Sequence, residues 1–231
     1  MAVTADAALA ALRAAGDAER AAGMAAYHKA PRVYLGVSVP EIDAMAKAWR
    51  AELTLDERLS LAAALWDSDV HEAMVAAAKL LTQARIRPDD ADAWALVCSW
   101  VPRFDAWAVA DHATIAGQKR VVADPSRIGT VDGWTTHPNM WTRRAALVIT
   151  LPFARLNHPK PADLAIRERA LGWAAGYVAD RDWFIQKAVA WWVRDLSRHD
   201  AARARAFLDG PGTGLKAFAR KEAARHLPPA G

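Results

Sequence analysis

One cysteine in 231 residues, Cys98, excludes an internal disulfide. A chain of this length can bury a sizeable core and needs no such staple. Cys98 sits between Val97 and Ser99 in an apolar run and is read as a buried structural thiol, which suits a reducing cytoplasm. No apolar run approaches the length of a membrane span, so no helical membrane segment is expected. The alanine-rich start is interrupted by Asp6, Arg13, Asp17, Glu19 and Arg20, and reads as a first amphipathic helix rather than a signal peptide. Neither sign of charge dominates: 30 Lys and Arg face 26 Asp and Glu, for a net charge of +4. That excess permits an anionic partner without requiring one. Low-complexity linkers are missing too, and the chain is read as a single domain, 1–231.

Several catalytic signatures are also missing. None of the seven histidines pairs with Cys or Glu at metal-ligand spacing, so no metal site is expected. Gly210-Pro-Gly-Thr-Gly214 lacks the lysine and the preceding strand of a phosphate-binding loop, and reads as a turn between helices. No nucleophile elbow is present.

What remains is overwhelmingly helical. Alanine, leucine, arginine and glutamate are abundant and β-branched runs are short. One stretch, Val33 to Val39, looks like a strand between Pro31 and Pro40. Pro40, Glu41 and Asp43 suit the first turn of a helix reaching about Arg50, and Thr54-Leu-Asp-Glu57 is a capping box for the next. Breaks follow at Pro88, Pro102, Asp124-Pro125, His137-Pro138, His158 to Pro161, and Gly210 to Gly214. Similar helix openings begin at Asp69, Trp141, Trp183 and Phe218, with a period of roughly 35 to 45 residues. That is the period of paired-helix solenoids, so the expected fold is all-α: a superhelical array of HEAT-like helix pairs with a concave basic surface. An irregular helical domain is the alternative.

Tryptophan is the abundant residue, with eleven copies. In the helix beginning near Trp183, the apolar stripe is Ile185, Val189, Trp192 and Leu196. Trp191 falls off it and shares helical spacing with Lys187, Arg194 and Arg198. That face is either a solvated basic surface with an incidental indole or a surface that meets phosphate, sugar and base. Trp107 lies one turn from Asp111. Ala106, Val109, Ala110, Ala113 and Gly117 form a small-residue packing face there, while Trp107, Asp111, Thr114 and Gln118 line another. In the plainer reading Trp107 caps the core edge and Asp111 is solvated. Trp141-Thr-Arg-Arg144 and Tyr27-His-Lys29 add aromatic and basic groups.

Together these blocks resemble the AlkD family of bacterial DNA alkylation-repair glycosylases, over most of the chain. Phe184-Ile-Gln-Lys-Ala-Val-Ala-Trp-Trp-Val-Arg194 is similar to the family's FIQKAIGWxLR signature. Trp107 with Asp111, Trp141-Thr-Arg-Arg144, and Ala26-Tyr-His-Lys29 followed by Tyr34-Leu-Gly36 match further blocks in order. The resemblance implies that Trp107 and Trp191 contact the deoxyribose of the damaged nucleotide and that Asp111 is the catalytic carboxylate. It implies a DNA-binding role for Arg144, which grips the backbone, and for Tyr27 on the DNA surface. Lys29, Arg143, Trp183, Phe184, Lys187 and Arg194 are expected beside them. Trp183 stands where the family usually has a phenylalanine, and Ala190 where glycine is common.

The implied activity is hydrolysis of the N-glycosidic bond of cationic N3- or N7-alkylated purines in double-stranded DNA, without base flipping. Neither cofactor nor metal is expected, and a monomer in the cytoplasm is. Two other classes stay open: a non-catalytic HEAT-like scaffold that binds DNA or protein, and a helical repeat protein with no nucleic-acid role.

Overall fold

A computed structural model describes residues 3–228. It comprises two compact units, 1–123 and 124–231. Among the described residues, regular structure is helical apart from one isolated parallel bridge between Val33 and Val70.

The first unit contains α1 (Ala5–Ala14), α2 (Ala18–His28), α3 (Val39–Glu52), α4 (Leu55–Asp67), α5 (His71–Leu80), α6 (Ala91–Trp100) and α7 (Trp107–Ala123). Its centre is α5, which is buried at every position but Lys79 and packs on α3, α4 and α7. The four alanines of α5 let those neighbours approach closely. Trp66 and Trp100 stack nearly parallel at 4.4 Å in the same core. The start signals work as read. Pro40 lies in the first turn of α3, and Thr54 with Glu57 closes a capping box on α4. Ser38 and Glu41 form a second box on α3.

The strand expected over Val33–Val39 does not form beyond that single bridge. The amide N–H groups of Leu35 and Gly36 donate instead to the carboxylate of buried Glu72 on α5, at 2.9 and 2.7 Å. Gly36 has φ of 81°, and a Cβ there would lie 2.0 Å from the Asp17 carbonyl oxygen, so only glycine fits. Cys98, expected to be buried, is partly exposed on α6. It follows Val97, which holds the inward position on that turn.

The second unit contains α8 (Ile128–Asp132), α9 (Met140–Ile149), α10 (Leu151–Ala154), α11 (Pro161–Gly176), α12 (Trp183–Ser197), α13 (Ala201–Asp209) and α14 (Ala217–Ala223). Here α12 is central, packed against α9, α10, α13 and α14. Ile185, Val189, Trp192 and Leu196 are fully buried, as their spacing predicts. Trp192 also donates its indole N–H to Thr150 Oγ1 at 3.1 Å, which satisfies its buried polar atom. Gly210 to Gly214 is a turn with a short 3-10 segment between α13 and α14.

Candidate functional site

In the first unit, Trp107 opens α7 and Asp111 lies one turn on; both are partly buried. Rings hold the indole. Tyr27, 70% exposed at the end of α2, meets Trp107 edge-on at 5.7 Å, and His28 meets it at 5.1 Å. His28 stacks in turn on His71 of α5 at 4.6 Å and lies parallel to Tyr34 at 5.8 Å. Lys29 caps α2 in the left-handed region and is exposed.

The histidines of this cluster are neutral at neutral pH. Burial lowers the pKa of His28, against the pull of Glu72. Burial, reinforced by His28 and nearby Arg32, lowers His71 to about 3. His112 falls to about 4 through burial and the charge of Lys79, with Asp111 and Asp43 opposing. The imidazole next to Asp111 in sequence therefore adds no positive charge there.

A buried arginine secures this arrangement. Arg32, its side chain only 2% exposed, pairs with both carboxylate oxygens of Asp105, two residues before Trp107, and lies 3.6 Å from Asp69. It ties the segment after α2 to the start of α7. The face expected to continue from Trp107 and Asp111 closes after one turn, however. Thr114 and Gln118 are buried, and Thr114 returns its hydroxyl to the Ala110 carbonyl oxygen at 2.6 Å.

In the second unit, Trp191 is partly buried on α12 and donates its indole N–H to Asp195 Oδ2 at 3.1 Å. Asp195 is itself 8% exposed. Arg155, after α10, reaches its Oδ2 at 2.6 and 2.8 Å, and Arg194 its Oδ1 at 3.3 and 3.4 Å. A cavity of about 270 Å³ opens beside the indole, lined by Arg155, Trp191, Arg194, Asp195, Arg198 and His199. The basic stripe expected around Trp191 is thus divided. Arg194 is paired with Asp195 and with Glu222 of α14, while Lys187 places its ammonium 5.2 Å from the ring centroid of Trp183.

Trp183 is half exposed at the start of α12 and so is the more accessible indole. It meets Phe184 edge-on at 4.9 Å and lies near Phe218 at 6.1 Å, while Phe184 meets Trp141 at 4.5 Å. Buried Gln186 holds this end of the helix. Its side chain donates to the carbonyl oxygens of Val178 and Asp180 and accepts from the Lys216 N–H. Arg143 donates to the carbonyl oxygens of His137 and Pro138 and pairs with Asp180 at 3.0 Å. Arg144 is 6% exposed, with its guanidinium 5.9 Å from the Trp141 ring.

His28, read with Lys29 as a basic group, is instead a ring of the cluster whose pKa is lowered by burial; His71, Arg32, Arg155 and Asp195 are site neighbours that the sequence reading does not single out. Asp195 carried a usable signal, because it follows Trp191 by four residues just as Asp111 follows Trp107. The others come from distant segments that only the fold brings together. Among the described residues, no group of three or more His, Cys, Asp or Glu is placed to hold a metal ion. No described helix is long and apolar enough to cross a membrane.

A family model described as DNA alkylation repair enzyme matches residues 8–227. Among solved structures, a predicted DNA alkylation repair enzyme from Enterococcus faecalis is 22% identical with a TM-score of 0.77, covering 93% of this chain and 98% of that one. Smu.31 from Streptococcus mutans UA159 and AlkD2 from Streptococcus mutans are each 18% identical with a TM-score of 0.61. They match 82% of this chain, and 93% and 90% of their own. These likenesses show the helical-repeat fold. No curated protein matches the chain.

Proposed function

Because the chain belongs to the DNA alkylation repair enzyme family, we propose that it is a monofunctional DNA glycosylase acting on cationic N3- or N7-alkylated purines in double-stranded DNA. The observation that carries this reading is the pairing of Trp107 with Asp111 on one turn of α7, with Tyr27 and His28 packed on the indole.

A purine alkylated at N3 or N7 carries positive charge and departs neutral. No general acid is needed to protonate it, unlike the two-carboxylate scheme of ordinary glycosidases. What needs stabilising is the cation that develops on the sugar. A carboxylate about 4 Å from that cation contributes roughly 4 kcal/mol at an effective dielectric near 20, on the order of a thousandfold in rate. We assign this role to Asp111, which also orients the attacking water. We assign Trp107 and Trp191 the further role of stabilising that cation with their indoles, each contributing about 0.5–2 kcal/mol. Contact through the sugar and backbone requires no base-shaped pocket, so the target base stays unextruded and bulky adducts are tolerated.

Tyr27, Lys29, Trp183 and Lys187 are the exposed groups of this reading and meet the DNA directly. Phe184, Arg143, Arg144 and Arg194 are assigned a supporting role, since Arg144 is buried and Arg143 and Arg194 are paired with carboxylates. A single copy of the chain in the cytoplasm suffices, with neither cofactor nor metal.

The test is incubation of purified protein with duplex DNA carrying N7-methylguanine, beside Asp111→Asn and Trp191→Ala. Free methylguanine and an intact strand with an abasic site are expected from the wild type, with both variants slower. Binding without base release would leave a non-catalytic DNA-binding scaffold. Covalent trapping by borohydride would overturn the monofunctional assignment, since it reports a Schiff base.

A further inference from the structure

We propose that Asp195 is a positioning residue for the reaction: it fixes the rotation of the Trp191 indole and enriches its π face toward the sugar cation. The inference rests on the glycosylase reading above.

The geometry is specific. The indole N–H points at Asp195 Oδ2 at 3.1 Å, one helical turn away. A carboxylate 8% exposed is costly to bury unless its charge is compensated. Here Arg155 binds the same oxygen from outside the helix, and Arg194 flanks the other oxygen from within it. The carboxylate is thereby held in one position, and the indole hydrogen-bonded to it shares that immobility. A partly exposed indole without such a bond would sample several rotamers.

Two consequences follow for a cation near the ring. The indole face is presented in one orientation, so no entropy is lost in orienting it as charge develops. An N–H shared with an anion also pushes electron density into the ring, which deepens the negative face that a cation sees. Asp195 has both oxygens engaged by arginine, so it acts through Trp191 and not on the sugar itself.

The experiment is a double-mutant cycle read by single-turnover release of N7-methylguanine at saturating enzyme. Trp191→Phe keeps a ring and removes the N–H. Asp195→Ala is expected to slow release about tenfold in the wild-type background, as for loss of a hydrogen bond to a charged group, and less than about twofold in the Trp191→Phe background. Asp195→Asn retains an acceptor and is expected to cost about threefold in the wild-type background and nothing after Trp191→Phe. It carries the same test if Asp195→Ala folds poorly.

A second readout needs no DNA. In ¹⁵N-labelled protein, the indole N–H resonance that disappears in Trp191→Phe is expected to move upfield in the Asp195 variants. Equal losses in both backgrounds, or an unmoved indole resonance, would overturn the proposal. If the wild type releases no base at all, the glycosylase reading falls and this inference with it. An active wild type with an indifferent Asp195→Asn sinks the inference alone.

Discussion

Each unit carries a tryptophan followed four residues later by an aspartate, and the two pairs have different surroundings. Around Trp107 the neighbours are rings: Tyr27, His28 and, behind them, Tyr34 and His71, with the histidines neutral. Around Trp191 the neighbours are charges: Asp195 accepts the indole N–H and is clamped by Arg155 and Arg194. The same spacing on a helix therefore has two uses. In the second unit two arginines engage the aspartate, and the role proposed for it is to hold the indole. In the first unit Tyr27 and His28 pack on the indole instead. Motif spacing places the two residues on one helix face. On the proposed reading, the packing around them decides which member of the pair would meet the substrate.

The sharpest way to break this comparison is to neutralise both aspartates. Asp111→Asn is expected to slow single-turnover base release on the order of a thousandfold, with duplex affinity changed only a few-fold. Asp195→Asn is expected to cost about threefold. Similar losses at the two positions would erase the distinction. Truncation of the indoles comes next: Trp107→Ala and Trp191→Ala should each slow release by about 2- to 30-fold. Either variant losing affinity alone, with an unchanged rate at saturation, would assign that indole to binding.

The two units should also differ in their response to acid. His28, His71 and His112 have folded pKa values below the usual 6.5, chiefly through burial. Their contribution is present above pH 6.5 and is lost as pH falls, because the unfolded chain takes up protons that the folded one refuses. His71, lowered to about 3, should alone cost the first unit about 2 kcal/mol between pH 6.5 and 5. In the second unit, hydrogen bonds from Arg203 and Arg194 lower Glu168 and Glu222 below the usual 4.5. Stability from these carboxylates is present above pH 4.5 and lost only below it. Urea unfolding between pH 7 and 5 should therefore weaken the first unit first, and His71→Gln should flatten its slope.

The smallest expected effect is at Trp183. Replacing it with phenylalanine should change release of N7-methylguanine by less than about threefold, since its cation–π contact with Lys187 is exposed. A change confined to bulky adducts would show that this indole sets the adduct range.

The helices were legible from periodicity and caps because those signals are local. The buried stripe Ile185, Val189, Trp192 and Leu196 and the caps at Ser38 and Thr54 need only neighbours within a turn or two. The segment after α2 has the composition of a strand but no strand partner, because its amides pair with Glu72, thirty-six residues beyond Gly36. For the same reason Arg155 went unseen at Asp195, forty residues away. Trp191 lies off the fully buried stripe, as its spacing predicts, but spacing does not reveal its neighbours. Side-chain spacing groups it with three cations, whereas hydrogen bonding gives it to an anion. Trp183 is expected at the DNA surface and departs from the family pair, while its half exposure depends on where α12 begins.

The most direct measurement compares a charged lesion with an uncharged one of the same shape. Single-turnover release should be followed from duplexes carrying N7-methylguanine or its 7-deaza-7-methyl analogue, which lacks the positive charge. Free base from the cationic lesion, an intact strand and no detectable release from the neutral analogue are predicted, because in the proposed mechanism the carboxylate of Asp111 stabilises the sugar and no group protonates the departing base. Equal release from both lesions, or tight binding of the charged duplex without any release, would contradict the account.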